Sequence, residues 1–275
     1  PGISAYVGGD ISCGVLSSRL YANEGVSLLI DVGTNGEIAL GCKEFIVTCA
    51  ASAGPAFEGS GVGCGMCAAS GAIEKVEISG GGDLAFKTIS GIKPKGICGS
   101  GYISLISELL KSGLLDKNGK FKSGECKFMR DGNCGREFIV ARGSESFTGK
   151  DITVSEADIE NLKRAKAALY SAVSLLLRHM GLDYAKLEKV FISGGFGVSL
   201  DIESAVHIGL LPDIDRRKFI FMGNSSLMGA KEALFSSKAL DEMEDIARKA
   251  TYFDLSGEKG YMDEYVSALF FPHTD

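Results

Sequence analysis

Asp31 ends an apolar run, and Gly33-Thr34-Asn35-Gly36 follow it before Ile38-Ala39-Leu40 resume the apolar pattern. Two later segments have the same form, Gly96-Ile97-Cys98-Gly99-Ser100-Gly101 and Ser193-Gly194-Gly195-Phe196-Gly197. Each delivers a chain of small residues whose bare backbone lets a ligand approach closely. Successive backbone N–H groups in such turns form concavities for anions, and Gly101, which opens a helical pattern, adds a helix N-terminus to the second. Phosphate suits all three. Asp31 would repel it unless a cation lies between them. Hydrated Mg²⁺, which takes few carboxylates along with waters and phosphate oxygens, is that cation.

A simpler use of the first turn stands beside this one. Asn35-Gly36 between apolar runs is a hairpin signal, and Asp31 would then cap the turn. None of the three turns is a Walker A loop, because no Gly-Lys-Ser/Thr occurs in frame. The third lacks the spacing of a dinucleotide fingerprint.

The elements that must carry these turns can be read from periodicity. Residues 3–21 suggest a short strand, a Gly8-Gly9-Asp10 turn and a helix. Apolar runs at 26–32, 37–41 and 45–50 are joined so tightly that they must form an antiparallel meander. A Gly- and Ala-rich stretch from Gly54 to Ala72 suits a short helix, and alternation around 72–79 and 84–90 predicts a hairpin. A helix follows Gly99. Residues 115–152 are the least regular, with one strand expected at 137–142. Ser155 and Asp158 form a capping box with Asp for Glu, and a long amphipathic helix runs from there to Gly181. Segments 189–197, a strand running into glycines, and 219–226, a buried strand ending in a polar turn, alternate with helices near 201–211 and 227–250. This order is α/β.

The 275 residues suffice for one two-lobed unit or two modest domains. A net charge of −6 argues against nucleic-acid or anionic-membrane binding, and no apolar stretch has the length of a membrane span. Most of the eight cysteines read as reduced core residues of a cytoplasmic protein. Cys64 and Cys67 form one C-x-x-C pair without a second, so packing is the reading preferred to a metal. His179, His207 and His273 are taken as structural. The chain begins at Pro1 without Met, the expectation being a piece of something longer.

Taken in order, acid-x-Gly-Thr, Gly-Ser-Gly and Gly-Gly resemble the actin-like ATPase superfamily of acetate and sugar kinases and heat-shock ATPases. The strings LIDVGTNGEIAL, AGPAFEG, CGMCAASGAIE, GICGSGYISLI, VFISGGFG, IGLLPD and GNSSLMGA resemble one branch more specifically, over nearly the whole chain. That branch is the C-terminal ATPase domain of the reductive activators of corrinoid enzymes. The resemblance implies an α/β, two-lobed actin-like (ribonuclease H-like) fold with mixed sheets and a nucleotide cleft between lobes, here expected at 1–92 and 93–275. It also implies ATP and Mg²⁺ as ligands, and ATP-dependent reduction of Co(II) to Co(I) cobalamin on a corrinoid partner protein. A [2Fe–2S] centre is expected only in a missing N-terminal part, since this chain has no C-x₄-C-x₂-C motif.

Roles follow from the same resemblance. Asp31 would organise Mg²⁺ and the attacking water. Asp10 is either a second acid for that cation, through water, or a helix N-cap. Gly33, Thr34, Asn35 and Gly36, with Gly99, Ser100 and Gly101, would hold phosphates. Gly194, Gly195 and Phe196 would back the adenosine, and Asn224 and Ser225 complete that wall. Glu58 either positions water or is a surface glutamate. The second phosphate loop carries no acid, unlike that of many superfamily members. The alternatives are a sugar or carboxylate kinase of the same superfamily, an actin-type filament protein, and an activator holding a [4Fe–4S] cluster across a dimer. A homodimer is a further expectation on fold grounds.

Overall fold

The computed structural model describes residues 1–80, 82–124, 126–132, 135–194 and 200–272. In chain order, α1 (Gly9–Ser18) precedes the meander of β1 (Ser27–Val32), β2 (Gly36–Gly41) and β3 (Ile46–Ala51). A 3₁₀ turn at Pro55–Glu58 leads to the hairpin of β4 (Ala72–Ile78) and β5 (Leu84–Thr88). Then come β6 (Gly96–Ile97) and α2 (Gly99–Lys111), followed by β7 (Met129–Gly132), β8 (Gly135–Ala141) and β9 (Ile152–Ser155). The long α3 (Glu156–His179) leads to β10 (Lys189–Gly194), α4 (Ile202–His207) and β11 (Phe219–Gly223). Last are α5 (Ser225–Phe235), α6 (Ser237–Lys249), β12 (Ala250–Tyr252) and α7 (Tyr261–Ser267). No described helix is long and apolar enough to cross a membrane.

By contacts the chain divides into two units that are not successive halves. The first comprises Pro1–Ser52, Ala168–Val198 and Pro212–Tyr265; the second comprises Ala53–Ala167, Ser199–Leu211 and Val266–Asp275. A boundary between residues 92 and 93 does not coincide with this division.

The first unit is built on a six-stranded mixed sheet in the order β11-β10-β1-β2-β3-β12. Short connections make β1, β2 and β3 antiparallel, whereas β10 joins β1 in parallel after a helical crossover. The ladder places Asp31 beside Ser193 on one side and Glu37 on the other. Val7, Ile11, Val15 and Leu16 bury completely against Leu29 and Ala39 of the sheet, which anchors α1. The α1–α5 crossing is close because both helices carry glycines at the contact. A Cβ at Gly229 would overlap the Cys13 backbone, and one at Gly14 would sit 3.0 Å from Leu29 Cδ2.

Two expectations are corrected in this unit. The short strand before α1 is absent, and the Ile3 and Ser4 N–H groups instead both donate to the Val7 carbonyl (2.9 and 3.1 Å). The last helix is two helices, because Ser236 is extended (φ −144°, ψ 113°) and its hydroxyl caps α6 through the Ala239 N–H.

The second unit holds two three-stranded sheets, β5-β4-β6 and β7-β8-β9. Residues 129–155 are thus more regular than their composition suggests, with three strands where one is expected. The Ser155–Asp158 capping box is formed, Ser155 N–H donating to Asp158 Oδ2 and Asp158 N–H to Ser155 Oγ (2.8 and 3.2 Å). Lys166 of α3 is fully buried, and its Nζ donates to the Phe270 carbonyl at 2.6 Å.

Candidate functional site

An acidic site forms where β1 and β2 turn. Val32 pairs with Gly36, so the hairpin connection is Gly33-Thr34-Asn35, closed by the Gly33 N–H donating to the Asn35 carbonyl at 3.0 Å. The expected turn is therefore present, with Thr34 and Asn35 exposed at its tip. Gly36 has a packing reason to be glycine, since a Cβ there would overlap the Leu169 side chain of α3.

Asp31, half-buried one residue before the end of β1, has its carboxylate flanked on two sides. Its Oδ2 accepts from the Ser226 hydroxyl at 3.1 Å. Its Oδ1 lies where a Cβ on Gly194 would come within 2.7 Å, and that same Cβ would overlap the Val32 carbonyl. Gly194 also sits at φ +101°, a conformation that other residues rarely adopt. Glycine is required there by conformation and by space, which is what a close backbone approach demands.

Glu37 is a third acid of this site that sequence reasoning misses. It is the direct cross-strand partner of Asp31, and residues directly opposite share a sheet face. Its carboxyl is pushed up to about 7, first by burial and then by the negative charges of Asp10 and Asp31. Asp10 lies in the first turn of α1, where its Oδ1 accepts the Ile11 N–H at 2.8 Å. It is not the N-cap; Gly8 is. The signal for Glu37 was the period of two, which carries Asp31 and Glu37 to one face once Val32 pairs with Gly36.

Asn224 and Ser225 lie beside this site. Asn224 caps α5 through Oδ1, which accepts the Leu227 N–H at 2.7 Å. Ser225 is fully buried, its hydroxyl 2.7 Å from Ser193 Oγ, which donates onward to the Gly223 carbonyl at 3.0 Å. These bonds lock the ends of β10 and β11 to the start of α5. Gly195 and Phe196 lie outside the described residues.

In the second unit, Gly99, Ser100 and Gly101 form the first turn of α2, as expected, and all three are buried. Cys98, the N-cap, makes no side-chain cap bond. The Ser100 hydroxyl lies 3.2 Å from the Cys98 thiol, and a Cβ on Gly101 would overlap the Ile73 carbonyl of β4. Gly101 thus brings α2 onto β4. Glu58 is half-buried at the end of its 3₁₀ turn, and its carbonyl faces the Cys67 thiol at 3.7 Å. Cys64 Sγ accepts from the Thr153 N–H at 3.4 Å. Among the described residues no three His, Cys, Asp or Glu side chains gather closely enough to hold a metal ion. His207 Nδ1 lies 3.0 Å from the Ser107 hydroxyl, a structural contact.

Three acids of which one resists ionisation leave a local excess of negative charge that a cation would relieve. A glycine cradle against one of them gives room for close backbone approach. These features suit a cation held through water by Asp31 and Asp10.

Comparisons with known proteins give the family of the chain. Residues 25–275 match the family described as the C-terminal domain of RACo, the ASKHA domain. The chain is 34% identical over 280 residues to the corrinoid activation enzyme RamQ of Eubacterium limosum, covering 98% of this chain and 46% of that one. It is 30% identical over 274 residues to the [Co(II) methylated amine-specific corrinoid protein] reductase of Methanosarcina barkeri, covering 91% and 46%. A solved structure, a reductive activator for corrinoid, iron-sulfur protein, superposes with a TM-score of 0.97 at 50% identity, covering all of this chain and 44% of that one. The chain thus spans less than half the length of these relatives.

Proposed function

We infer the function from one premise: this chain belongs to the RACo C-terminal family and is an ASKHA, actin-like ATPase domain. From it we propose that the chain is the ATP-binding and ATP-hydrolysing domain of an activator that drives reduction of Co(II) to Co(I) cobalamin on a corrinoid protein. The names of both relatives and of the solved structure support that role. The observation that carries the ATP part is the Asp31 carboxylate set between the Gly194 backbone and Ser226, with Glu37 and Asp10 beside it.

Bound Mg²⁺ would supply positive charge against the phosphates and help to orient water. Asp31 and Asp10 are the residues that would hold it, through water. The Gly33-Thr34-Asn35 turn offers backbone N–H groups and the Thr34 and Asn35 side chains to phosphate. Gly194 admits the nucleotide close to β10, and Asn224 and Ser225 fix the neighbouring wall. Gly99, Ser100 and Gly101 are proposed as a second phosphate-binding turn through the α2 N-terminus, and Glu58 as a residue that orients water. Phosphoryl transfer asks mainly for positioning and electrostatics, which these groups supply without covalent chemistry.

ATP can influence an electron transfer only by binding two states of the activator unequally. The electron would come from a [2Fe–2S] centre of the intact activator outside these residues. Cysteines that are free among the described residues suit a reducing cytoplasm. A homodimer is also proposed, through the face of α5 that exposes Leu227, Met228, Leu234 and Phe235.

The test is anaerobic spectroscopy of a Co(II) corrinoid protein mixed with the reduced intact activator. Conversion to Co(I) with ATP-Mg²⁺ and not without it is the expected result. Equal conversion in both conditions would remove ATP coupling from the proposal.

A further inference from the structure

The Ser226 hydroxyl stands at a junction of three elements. It lies in the first turn of α5. Its Oγ is 3.1 Å from Asp31 Oδ2 on β1 and 3.1 Å from the Asp10 carbonyl oxygen in α1. It therefore touches both acids assigned to the cation, one by its carboxylate and the other by its backbone.

We propose that Ser226 is a positioning residue of the ATP-Mg²⁺ site, its hydroxyl holding the Asp31 carboxylate in the orientation that receives the cation; the inference rests on the ATP-Mg²⁺ reading above. Gly194 bounds that carboxylate at Oδ1, and the Ser226 hydroxyl holds it at Oδ2. The hydroxyl has a single proton for two acceptors. The neighbouring backbone is fixed independently, by the Asn224 cap on Leu227 N–H and by the Ser225–Ser193 hydrogen bond. Removing the Ser226 hydroxyl should therefore leave α5 in place and free only the carboxylate.

Hydrogen-bond partners of a metal-binding carboxylate typically matter by about 10–100-fold in metal affinity or activity. The experiment is thermal melting of the full chain at fixed ATP across a Mg²⁺ titration, with EDTA as baseline. The Ser226→Ala chain is expected to melt normally without ligands and to need about 10-fold more Mg²⁺ for half the ATP-dependent shift. Ser226→Thr, which restores the hydroxyl, should bring the midpoint back toward that of the unaltered chain. Should Ser226→Ala not fold, Ser226→Cys, nearly isosteric with a feeble donor, is read by the same midpoint. An unchanged midpoint in the Ala or Cys chain overturns the role of Ser226. So does a Thr chain as impaired as Ala, because packing would then be the cause. A shift that is absent from the unaltered chain overturns the ATP-Mg²⁺ reading itself and this inference with it.

Discussion

Asp31 and Glu37 stand directly opposite each other on β1 and β2. Like charges directly opposite in a ladder destabilise it, and burial adds to the cost. The pair is tolerated with Glu37 holding its proton up to about pH 7. A fold that only needed a hairpin would gain by replacing either acid. The presence of both fits a site that holds positive charge.

Glu37 makes stability depend on pH. In the unfolded chain it ionises near its ordinary 4.5, whereas in the folded chain it does so at about 7. The contribution of the protonated acid is full below the unfolded value and is lost as pH rises to about 7, with no further change above. Glu37→Gln should therefore flatten the melting temperature between pH 5 and 7 and raise it above pH 7, read by calorimetry in the absence of nucleotide. A slope identical to that of the unaltered chain would show that Glu37 ionises normally.

Gly194→Ala should be costly twice. The residue sits at φ +101°, and its new Cβ would meet the Val32 carbonyl and Asp31 Oδ1. A denaturant series should show a loss of more than about 1 kcal/mol, the scale for alanine forced into positive φ. The thermal shift with ATP-Mg²⁺ should vanish at temperatures where the variant remains folded. A variant of full stability and full nucleotide response would mean that β10 has room that the structure denies it.

Lys166 acts in the opposite direction and in a different window. Burial first, and then the charge of Lys163, depress its ammonium to about 7 from 10.5. Between those values only the unfolded chain binds the proton, so this contribution to stability is absent below about pH 7 and grows as pH rises toward 10.5. Lys166→Met should remove that rise from a series of denaturant midpoints between pH 7 and 9. Retention of the rise would assign it to another group.

The meander and the strands before Gly194 and Asn224 were legible because apolar runs bounded by small polar turns have few alternatives. The three acids were legible only in part. Asp31 declares itself by ending an apolar run, but Glu37 reads as an ordinary polar residue until the register pairs it with Asp31. Ser226 was hidden for a related reason, since its role depends on the α1–α5 crossing, which two glycines set and no local pattern announces. The break at Ser236 was missed because amphipathic spacing continues across it. β12 is three residues long, and only pairing with β3 makes it a strand. The two units interleave along the chain, each assembled from three separate segments, which a linear reading cannot see.

The most direct measurement is a calorimetric titration of ATP-Mg²⁺ into this chain and into Asp31→Asn, paired with their melting temperatures. Asn satisfies turns much as Asp does, so a capping role predicts two similar titrations. The account predicts saturable heat for the unaltered chain and little or none for Asp31→Asn at the same concentrations, with a melting temperature for Asp31→Asn no lower than that of the unaltered chain. Equal heats from the two chains, or none from the unaltered one, would contradict the assignment of Asp31 to the cation and its nucleotide.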